Sequence, residues 1–343
     1  MNLAYSLAFT DLYRREGLQR IDEAFFAELG ARDAALAARL ADARTAAGTP
    51  SQLAPKDEAN LLIAVGPHLD AFIGKLFDIA EPLAALKAQH DELDPLYRVK
   101  WKFVKRQAML KVTPEEVADF DADGARARIE QWLGQPFEEL AFARAVIAWQ
   151  AIDAVKEPSP EKAEAAARLA VALRYSAWAV HTEAGQALHG HGILFRQPGR
   201  VDPYDLLLHD RSHTEHQVTT FTIAPGHLRR RDGFALTDPG TDLRGALDQA
   251  NYCIFCHNQG KDSCSKGLRD KPVDGHVVFK RSVFGVKLAG CPLEERISEF
   301  HTLKSQGHPV SALAMITVDN PMVAATGHRI CNDCMKACIY QKQ

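Results

Sequence analysis

Residues 159–185 have the sequence SPEKAEAAARLAVALRYSAWAVHTEAG, and this pattern predicts a long amphipathic helix. Ser159 offers an N-cap hydroxyl, Pro160 suits the first helical position, and Glu161 complements the helix dipole in the first turn. The helix is expected to end near Gly185. Small and apolar residues that would line one face of this helix recur at positions 166, 169, 170, 173, 177, 180 and 184.

Helical patterns extend over residues 1–220. Residues 31–44, ARDAALAARLADAR, interleave alanine with charge, and Thr113-Pro114-Glu115-Glu116 predicts a second helix start. His209, His213 and His216 would share one face of a helix, but they lack the Glu of an HExxH motif, so structural or exposed histidines are the favoured interpretation. The sequence therefore predicts an all-α protein.

Three parts are expected along the chain. Residues 1–223 form a helical domain, which is also a candidate surface for homo-oligomer formation. Residues 224–245 are rich in Gly, Pro and charge and are predicted to be a linker. Residues 246–343 form a C-terminal module, within which residues 276–288, HVVFKRSVFGVKL, are a candidate β-hairpin.

Composition and charge exclude several functional classes. The chain has 343 residues, of which 46% are hydrophobic and 25% charged, and these values are ordinary for a soluble protein of about two domains. A net charge of −3 gives no indication of a nucleic-acid partner. The first residues do not resemble a signal peptide, and no stretch has the roughly 18 apolar residues of a membrane span. We therefore expect a cytoplasmic protein.

The cysteines are all in the last part of the chain. The first 252 residues contain none, whereas residues 253–343 contain seven. The same 91 residues carry 12 Lys and Arg against 8 Asp and Glu, although the whole chain is acidic. Because cytoplasmic thiols stay reduced, this cluster predicts a metal or catalytic site rather than disulfides. The cysteines are Cys253, Cys256, Cys264, Cys291, Cys331, Cys334 and Cys338.

Thiolates at short spacings suit an iron–sulfur cluster, which needs soft anionic ligands, and a basic surrounding suits an anionic cluster. Three other interpretations compete. Cys253 to His257 matches the C-x-x-C-H signature of c-type haem, but haem attachment belongs outside the cytoplasm and leaves five cysteines unused. Two C-x-x-C pairs can bind zinc, although seven cysteines exceed its needs. Buried thiols without a metal are the third alternative.

Residues 245–343 resemble the N-terminal iron–sulfur region of the glutamate synthase small subunit and dihydropyrimidine dehydrogenase family. After the early cysteines, the resemblance is carried by Gly290-Cys291-Pro292-Leu293, Ile297-Ser298-Glu299-Phe300, Ala314-Met315-Ile316-Thr317, Asn320-Pro321 and Thr326-Gly327-His328-Arg329-Ile330-Cys331. It covers under a third of the chain. The longer Cys256–Cys264 gap, the insertion between Cys264 and Cys291, and the tighter Cys331–Cys334 spacing depart from the family pattern.

The resemblance implies an α-helical ferredoxin-like module with two [4Fe–4S] clusters that exchanges electrons with a flavin- and NAD(P)H-binding domain. This chain has no G-x-G-x-x-G fingerprint, so FAD and NAD(P)H are expected only in a downstream domain or a partner flavoprotein. No residue is predicted to be a catalytic acid, base or nucleophile. The resemblance implies one cluster on Cys253, Cys256, Cys264 and Cys338, and a second on Cys291, Cys331 and Cys334.

Overall fold

The computed structural model describes a mostly helical protein with one small sheet. The coarse prediction of a helical protein is therefore confirmed. The contacts divide the chain into a first unit, 1–198 with 247–261 and 296–321, and a second unit, 199–246 with 262–295 and 322–343. The described residues are 3–44, 53–197, 202–204, 209–213, 216–223, 228, 233, 240–326 and 332–339.

The first unit begins with a 3₁₀ turn and a series of helices. Its early elements are Phe9–Tyr13 (3₁₀), α1 (Arg15–Arg32), α2 (Ala34–Arg44), α3 (Pro55–Leu76), α4 (Ala80–Val99), a π-helical segment (Lys100–Met109), Glu115–Val117 (3₁₀), α5 (Ala122–Leu133), α6 (Glu139–Asp153), α7 (Pro160–His181) and α8 (Glu183–His189).

The later part of the chain contains shorter elements. They are β1 (Asp210–His213), β2 (Thr219–Thr222), α9 (Leu243–Tyr252), a 3₁₀ turn (Cys256–Gln259), α10 (Ser263–Lys266), α11 (Ile297–Ser305), α12 (Pro309–Asp319), α13 (Val323–Thr326) and α14 (Asp333–Ala337). β1 pairs antiparallel with β2, with Asp210 opposite Thr222 and His213 opposite Thr219.

The long helix predicted from residues 159–185 is confirmed as α7. The Ser159 hydroxyl accepts a hydrogen bond from the Lys162 amide at 3.2 Å, as the capping pattern predicts. The predicted face is confirmed only towards the end of the helix, where Ala177 and Val180 are buried, whereas Ala166 and Ala170 are exposed. Tyr175 and Ala172, which lie outside the predicted set, are also fully buried.

Two helix predictions are wrong. Thr113 and Pro114 precede only a short 3₁₀ turn, and the following α-helix begins at Ala122, where the Asp121 side chain caps it. The histidine face does not exist, because His213 lies in β1 and His216 lies in a turn. Thr219–Thr222 has the β-branched and aromatic composition of a strand, and pairing with this segment gives β1 its ladder.

Helices α4 to α7 and the π-helical segment enclose the largest core of the first unit. Phe142, Phe195 and Tyr175 are fully buried there. Burying an aromatic or aliphatic side chain of this size contributes about 1.5–3 kcal/mol. Tyr175 Oη lies 2.8 Å from His189 Nε2, so these two buried polar groups satisfy each other by a hydrogen bond.

Residues 296–321 pack on the N-terminal helices. Leu303 of α11 is fully buried beside Leu62 of α3, and the Asp70 carboxylate accepts a hydrogen bond from the Ser311 amide at 2.6 Å. Arg296 bridges Asp319 and Glu58 at 2.7 and 3.1 Å. The contact units therefore differ from the sequence-based division, in which residues 246–343 are a separate module.

The candidate hairpin at 276–288 is present as isolated bridges rather than as named strands. Val273 bridges His276, and Arg281 bridges Lys287. The Leu288 amide donates to the Lys280 carbonyl at 2.9 Å. The segment thus turns back on itself, and its two arms are joined by isolated backbone bridges.

None of the helices in the described part of the chain combines the length and the apolar character that a membrane span requires.

Candidate metal centre

The first cysteine pair lies in a turn that follows α9. Phe255 has a φ of 54°, in the left-handed region, and its backbone amide donates a hydrogen bond to Cys253 Sγ at 3.3 Å. Cys256 begins the 3₁₀ turn, which packs against α3 and α11. An amide aimed at sulfur stabilises a thiolate, because it favours the charged form of the cysteine.

His257, which follows Cys256 in this turn, is held by contacts with Ser298 of α11. Its Nδ1 lies 2.6 Å from Ser298 Oγ, and its backbone amide donates to the same oxygen at 3.4 Å. Cys253 Sγ lies 3.9 Å from Ser298 Oγ. Burial lowers the pKa of His257 and so favours the neutral form of the ring. Ser298 thus connects the Cys253 turn to α11.

Sequence reasoning did not assign a role to Ser298. The residue belongs to the segment Ile297-Ser298-Glu299-Phe300, which was noted for resemblance alone. A serine at the start of a helix is common, so its spacing from His257 carries no signal. Only the fold brings these two side chains together.

The second unit brings Cys264 and Cys291 together through the backbone. The Cys291 amide donates to the Cys264 carbonyl at 2.9 Å. Gly290 precedes Cys291 with a φ of 84°, and a Cβ there would lie 2.6 Å from the Ser265 carbonyl oxygen. Glycine is required at this position because both its φ and its close approach to α10 exclude a side chain.

Cys334 and Cys338 are positioned by the last described helix. Cys334 lies within α14, which packs against α10, the helix that carries Cys264. Cys338 follows α14, and its amide donates to the Met335 carbonyl at 3.2 Å. Cys334 and Cys338 are half-buried, whereas Cys291 is buried. Cys331 lies outside the described residues.

The six described cysteines divide between the units. Cys253 and Cys256 belong to the first unit, while Cys264 and Cys291 belong to the second, with the two cysteines of the α14 region. Among the described residues, no three His, Cys, Asp or Glu side chains are grouped closely enough to hold a metal ion.

The donor chemistry nonetheless fits an iron–sulfur cluster. Thiol sulfurs are soft ligands, and Cys253 Sγ accepts an amide hydrogen bond of the kind that tunes cluster potentials. His257 Nδ1 is engaged by Ser298, so this imidazole acts within the protein as a support for the turn. These contacts fit thiolate ligation at Cys253.

Comparison with known proteins gives few matches. Residues 3–78 match the family described as the RP005 N-terminal alpha-helical domain. "Uncharacterized protein RP005" of Rickettsia prowazekii (strain Madrid E) is 29% identical over 311 residues, which are 89% of this chain and 99% of that protein. "Uncharacterized protein RP006" of the same organism is 96% identical over 22 residues, which are 6% of this chain and 3% of that protein. No solved structure matches.

Proposed function

We propose that this chain is an electron-transfer iron–sulfur protein that works with a flavoprotein. The observation that carries the proposal is the hydrogen bond between the Cys291 amide and the Cys264 carbonyl at 2.9 Å. It joins two cysteines that the sequence separates widely. The helix that carries Cys264 also packs on the helix that carries Cys334. Convergence of thiol-bearing segments from both proposed ligand sets supports cysteine-ligated clusters in this part of the chain.

The proposal includes two [4Fe–4S] clusters in an α-helical ferredoxin-like module. Thiolates are the usual ligands of such clusters, and seven cysteines suit one four-thiolate and one three-thiolate site. In the second site a harder ligand such as a carboxylate, an amide or water completes the set. The proposed ligand sets are Cys253, Cys256, Cys264 and Cys338 for one cluster, and Cys291, Cys331 and Cys334 for the other.

The residues of this chain would hold and tune the clusters. A cluster held by these cysteines would supply one-electron transfer, in which no covalent bond of a substrate has to form or break, so no catalytic acid or base would be needed. A reduced flavin carries two electrons and would pass them singly. The Phe255 amide on Cys253 Sγ stabilises negative charge on that sulfur, and hydrogen bonds of this type raise cluster potentials.

A cytoplasmic location and a flavoprotein partner belong to the same proposal. Reduced thiolates are maintained in the cytoplasm, which suits seven cysteines in one region. No dinucleotide fingerprint occurs in the sequence, so a separate domain or subunit would bind FAD and NAD(P)H.

The absorption spectrum of anaerobically purified full chain tests this function. An iron–sulfur protein is brown, with broad absorbance near ~400 nm that bleaches when dithionite reduces the clusters. A colourless protein that contains zinc would support a zinc-stabilised interaction module instead. A spectrum that does not respond to dithionite would contradict an electron-transfer role.

A further inference from the structure

Residues 268–288 of the second unit form a small antiparallel meander of three short extended stretches, which we call the basic meander. The Lys280 amide donates to the Leu268 carbonyl at 2.8 Å, and the Lys280 carbonyl accepts from the Leu288 amide at 2.9 Å. The two outer stretches also meet, because the Leu268 amide donates to the Leu288 carbonyl at 2.9 Å. The backbone of the meander is therefore held by hydrogen bonds among its own residues.

Three cations share one face of the basic meander. Arg269 is paired with Phe279, and Arg281 is paired with Lys287, in antiparallel bridges. Side chains two residues apart in an extended stretch point to the same face, so Phe279 and Arg281 lie on the same side. Arg269, Arg281 and Lys287 thus surround the half-buried Phe279.

Arg281 and Lys287 are like charges placed directly opposite each other. The backbone hydrogen bonds lie at the neighbouring residues Ser282 and Leu288, and in pairs of this kind the side chains approach most closely. Like charges in this arrangement destabilise a sheet. The Arg281 guanidinium donates to the Gly285 carbonyl, a neutral group that leaves its positive charge in place. An anionic partner would remove this repulsion.

Positive charge dominates the whole meander and its entry. Residues 266–288 contain six Lys and Arg against two Asp, although the whole chain has a net charge of −3. All six cations are exposed, and none of them forms an ion pair with a carboxylate of the described residues. The six are Lys266, Arg269, Lys271, Lys280, Arg281 and Lys287. This positive charge is available to a second molecule.

Exposed apolar side chains accompany the charges. At the tip of the meander, Val283 and Phe284 are each 61% exposed, and Val277 and Val286 are exposed beside them. The Phe284 ring packs edge-to-face on Tyr204, with 5.4 Å between the ring centroids. Aromatic and aliphatic surface edged by polar groups is the composition of a protein interface. Valine side chains neither stack on bases nor bind phosphate, so a protein is favoured over a nucleic acid.

We propose that the basic meander docks an acidic face of the flavoprotein partner. Complementary charge steers such encounters, and redox complexes bury little surface, which suits a patch of this size. Leu268 follows Cys264 by four residues and Leu288 precedes Cys291 by three, so a docked partner lies beside two proposed cluster ligands. The identity of the partner as a flavoprotein rests on the proposed electron transfer.

Binding of an acidic flavoprotein to the anaerobically purified full chain tests the surface. The probe is flavodoxin, a small acidic protein that carries a flavin, and isothermal titration calorimetry with its oxidised form measures docking without electron transfer. We expect saturable one-to-one binding whose Kd rises at least ~10-fold between about 20 mM and about 500 mM NaCl. Reduced flavodoxin should bleach the cluster absorbance near ~400 nm with the same dependence of rate on salt.

Variants locate the docking surface. Arg281→Gln/Lys287→Gln removes two exposed charges that repel each other, so it should fold normally and raise the Kd about 10-fold at low salt. Phe284→Ser should weaken binding at low and high salt alike, because it removes an apolar anchor. The matched control is Lys102→Gln/Lys111→Gln, which removes the same charge from exposed positions of the first unit. Its Kd should stay within ~2-fold of wild type.

Four results would overturn the docking surface. They are an absence of flavodoxin binding, binding that does not respond to salt, an equal loss of affinity in the control variant, and tighter binding of polyuridylate RNA or phosphatidylglycerol vesicles than of flavodoxin. Circular dichroism separates loss of binding from loss of folding. If Arg281→Gln/Lys287→Gln is unfolded, Lys287→Gln compared with Lys102→Gln decides the question.

Failure of docking and failure of the proposed function are distinguishable. A brown chain with dithionite-reducible clusters that does not bind flavodoxin would refute the docking surface alone. A colourless chain that binds flavodoxin with the expected salt dependence and variant effects would refute electron transfer, and the meander would remain a surface for an acidic protein.

Discussion

The backbone amide of Cys291 donates a hydrogen bond to the carbonyl oxygen of Cys264 across 2.9 Å, although 26 residues lie between them. The intervening chain leaves through Gly267 and returns through Gly290. Both glycines have positive φ, of 85° and 84°, and in both a Cβ would meet neighbouring atoms. The proposed ligands are thus positioned by backbone geometry as well as by the metal they would bind.

Replacement of Gly290 should separate these two cysteines. In Gly290→Ala the new methyl group would overlap the Ser265 carbonyl, which lies 2.6 Å from the Cβ position, in addition to the unfavourable φ. We expect a loss of about 1–3 kcal/mol in the free energy of unfolding and a lower iron content. Urea unfolding and iron analysis measure both.

The control for this variant is Gly275→Ala. Gly275 also has a positive φ, of 77°, but nothing lies within 4 Å of its Cβ position. The Gly275→Ala variant should lose about 1 kcal/mol or less of its free energy of unfolding and should keep its iron. Equal iron loss in the two alanine variants would show that the close approach at Gly290 is unimportant.

Individual thiolates should be required for iron binding. Cys→Ser at Cys253, Cys256 or Cys291 replaces a soft ligand by a poor one, so iron content should fall by about 4 per chain if a whole [4Fe–4S] cluster is lost. The matched variant is His257→Ala. It removes the 2.6 Å contact with Ser298 and should cost about 1–3 kcal/mol of stability.

Iron content separates these two classes of variant. His257→Ala should retain wild-type iron, because the imidazole supports the turn without binding metal. Unchanged iron in all three serine variants would refute the ligand assignment. Covalently bound haem in the wild type would instead make His257 a ligand.

Acid should destabilise the fold before the carboxylates titrate. Burial lowers the pKa of His189 from 6.5 to about 4, so the folded state resists protonation while the unfolded state accepts it. Between these two pH values the unfolded state binds more protons, and stability falls as the pH falls. His189 contributes at most about 1.4 kcal/mol per pH unit in this window.

Urea unfolding at pH 7, 6 and 5 measures this dependence. His189→Gln keeps a polar group beside Tyr175 but cannot be protonated, so its stability should decline less steeply with acid. Burial also lowers the pKa of His301 to about 4. His301 therefore maintains part of the dependence of stability on pH in the His189→Gln variant. Identical slopes for wild type and His189→Gln would exclude a buried neutral His189.

Flavin and nicotinamide should be absent from the isolated chain. The sequence has no fingerprint for either nucleotide, so purified protein should contain no stoichiometric flavin and should not reduce dyes with NAD(P)H alone. Adding a flavoprotein partner should restore dye reduction. Stoichiometric FAD released from the pure chain on denaturation would show a nucleotide site in this chain itself.

Local signals in the sequence predicted one helix start correctly and another incorrectly. Ser159, Pro160 and Glu161 gave the start of α7 because a cap, a fixed φ and a first-turn acid act within a few residues. Thr113 offered the same signals, yet the chain there forms only a 3₁₀ turn. Capping describes how a helix can begin, and tertiary packing decides whether it continues.

Long-range relationships could not be predicted. The contact of Ser298 with His257, and the packing of Leu303 on α3, join segments whose separation in sequence carries no periodic signal. The buried ion pair of Lys100 with Asp248 was missed for the same reason, since these two residues lie far apart in the chain. The cysteine positions themselves were the informative part of the site, because their clustering and order are visible in one dimension.

The proposed second cluster should be the more fragile one. Three thiolates leave one iron without a cysteine ligand, and that iron should leave first under oxygen. The central claim of two clusters is tested most directly by counting iron and acid-labile sulfide in anaerobically purified full chain, with electron paramagnetic resonance during brief oxidation. We predict about 8 iron and about 8 sulfide per chain, falling toward ~4 iron in air through a three-iron signal. Zinc without sulfide would contradict the account.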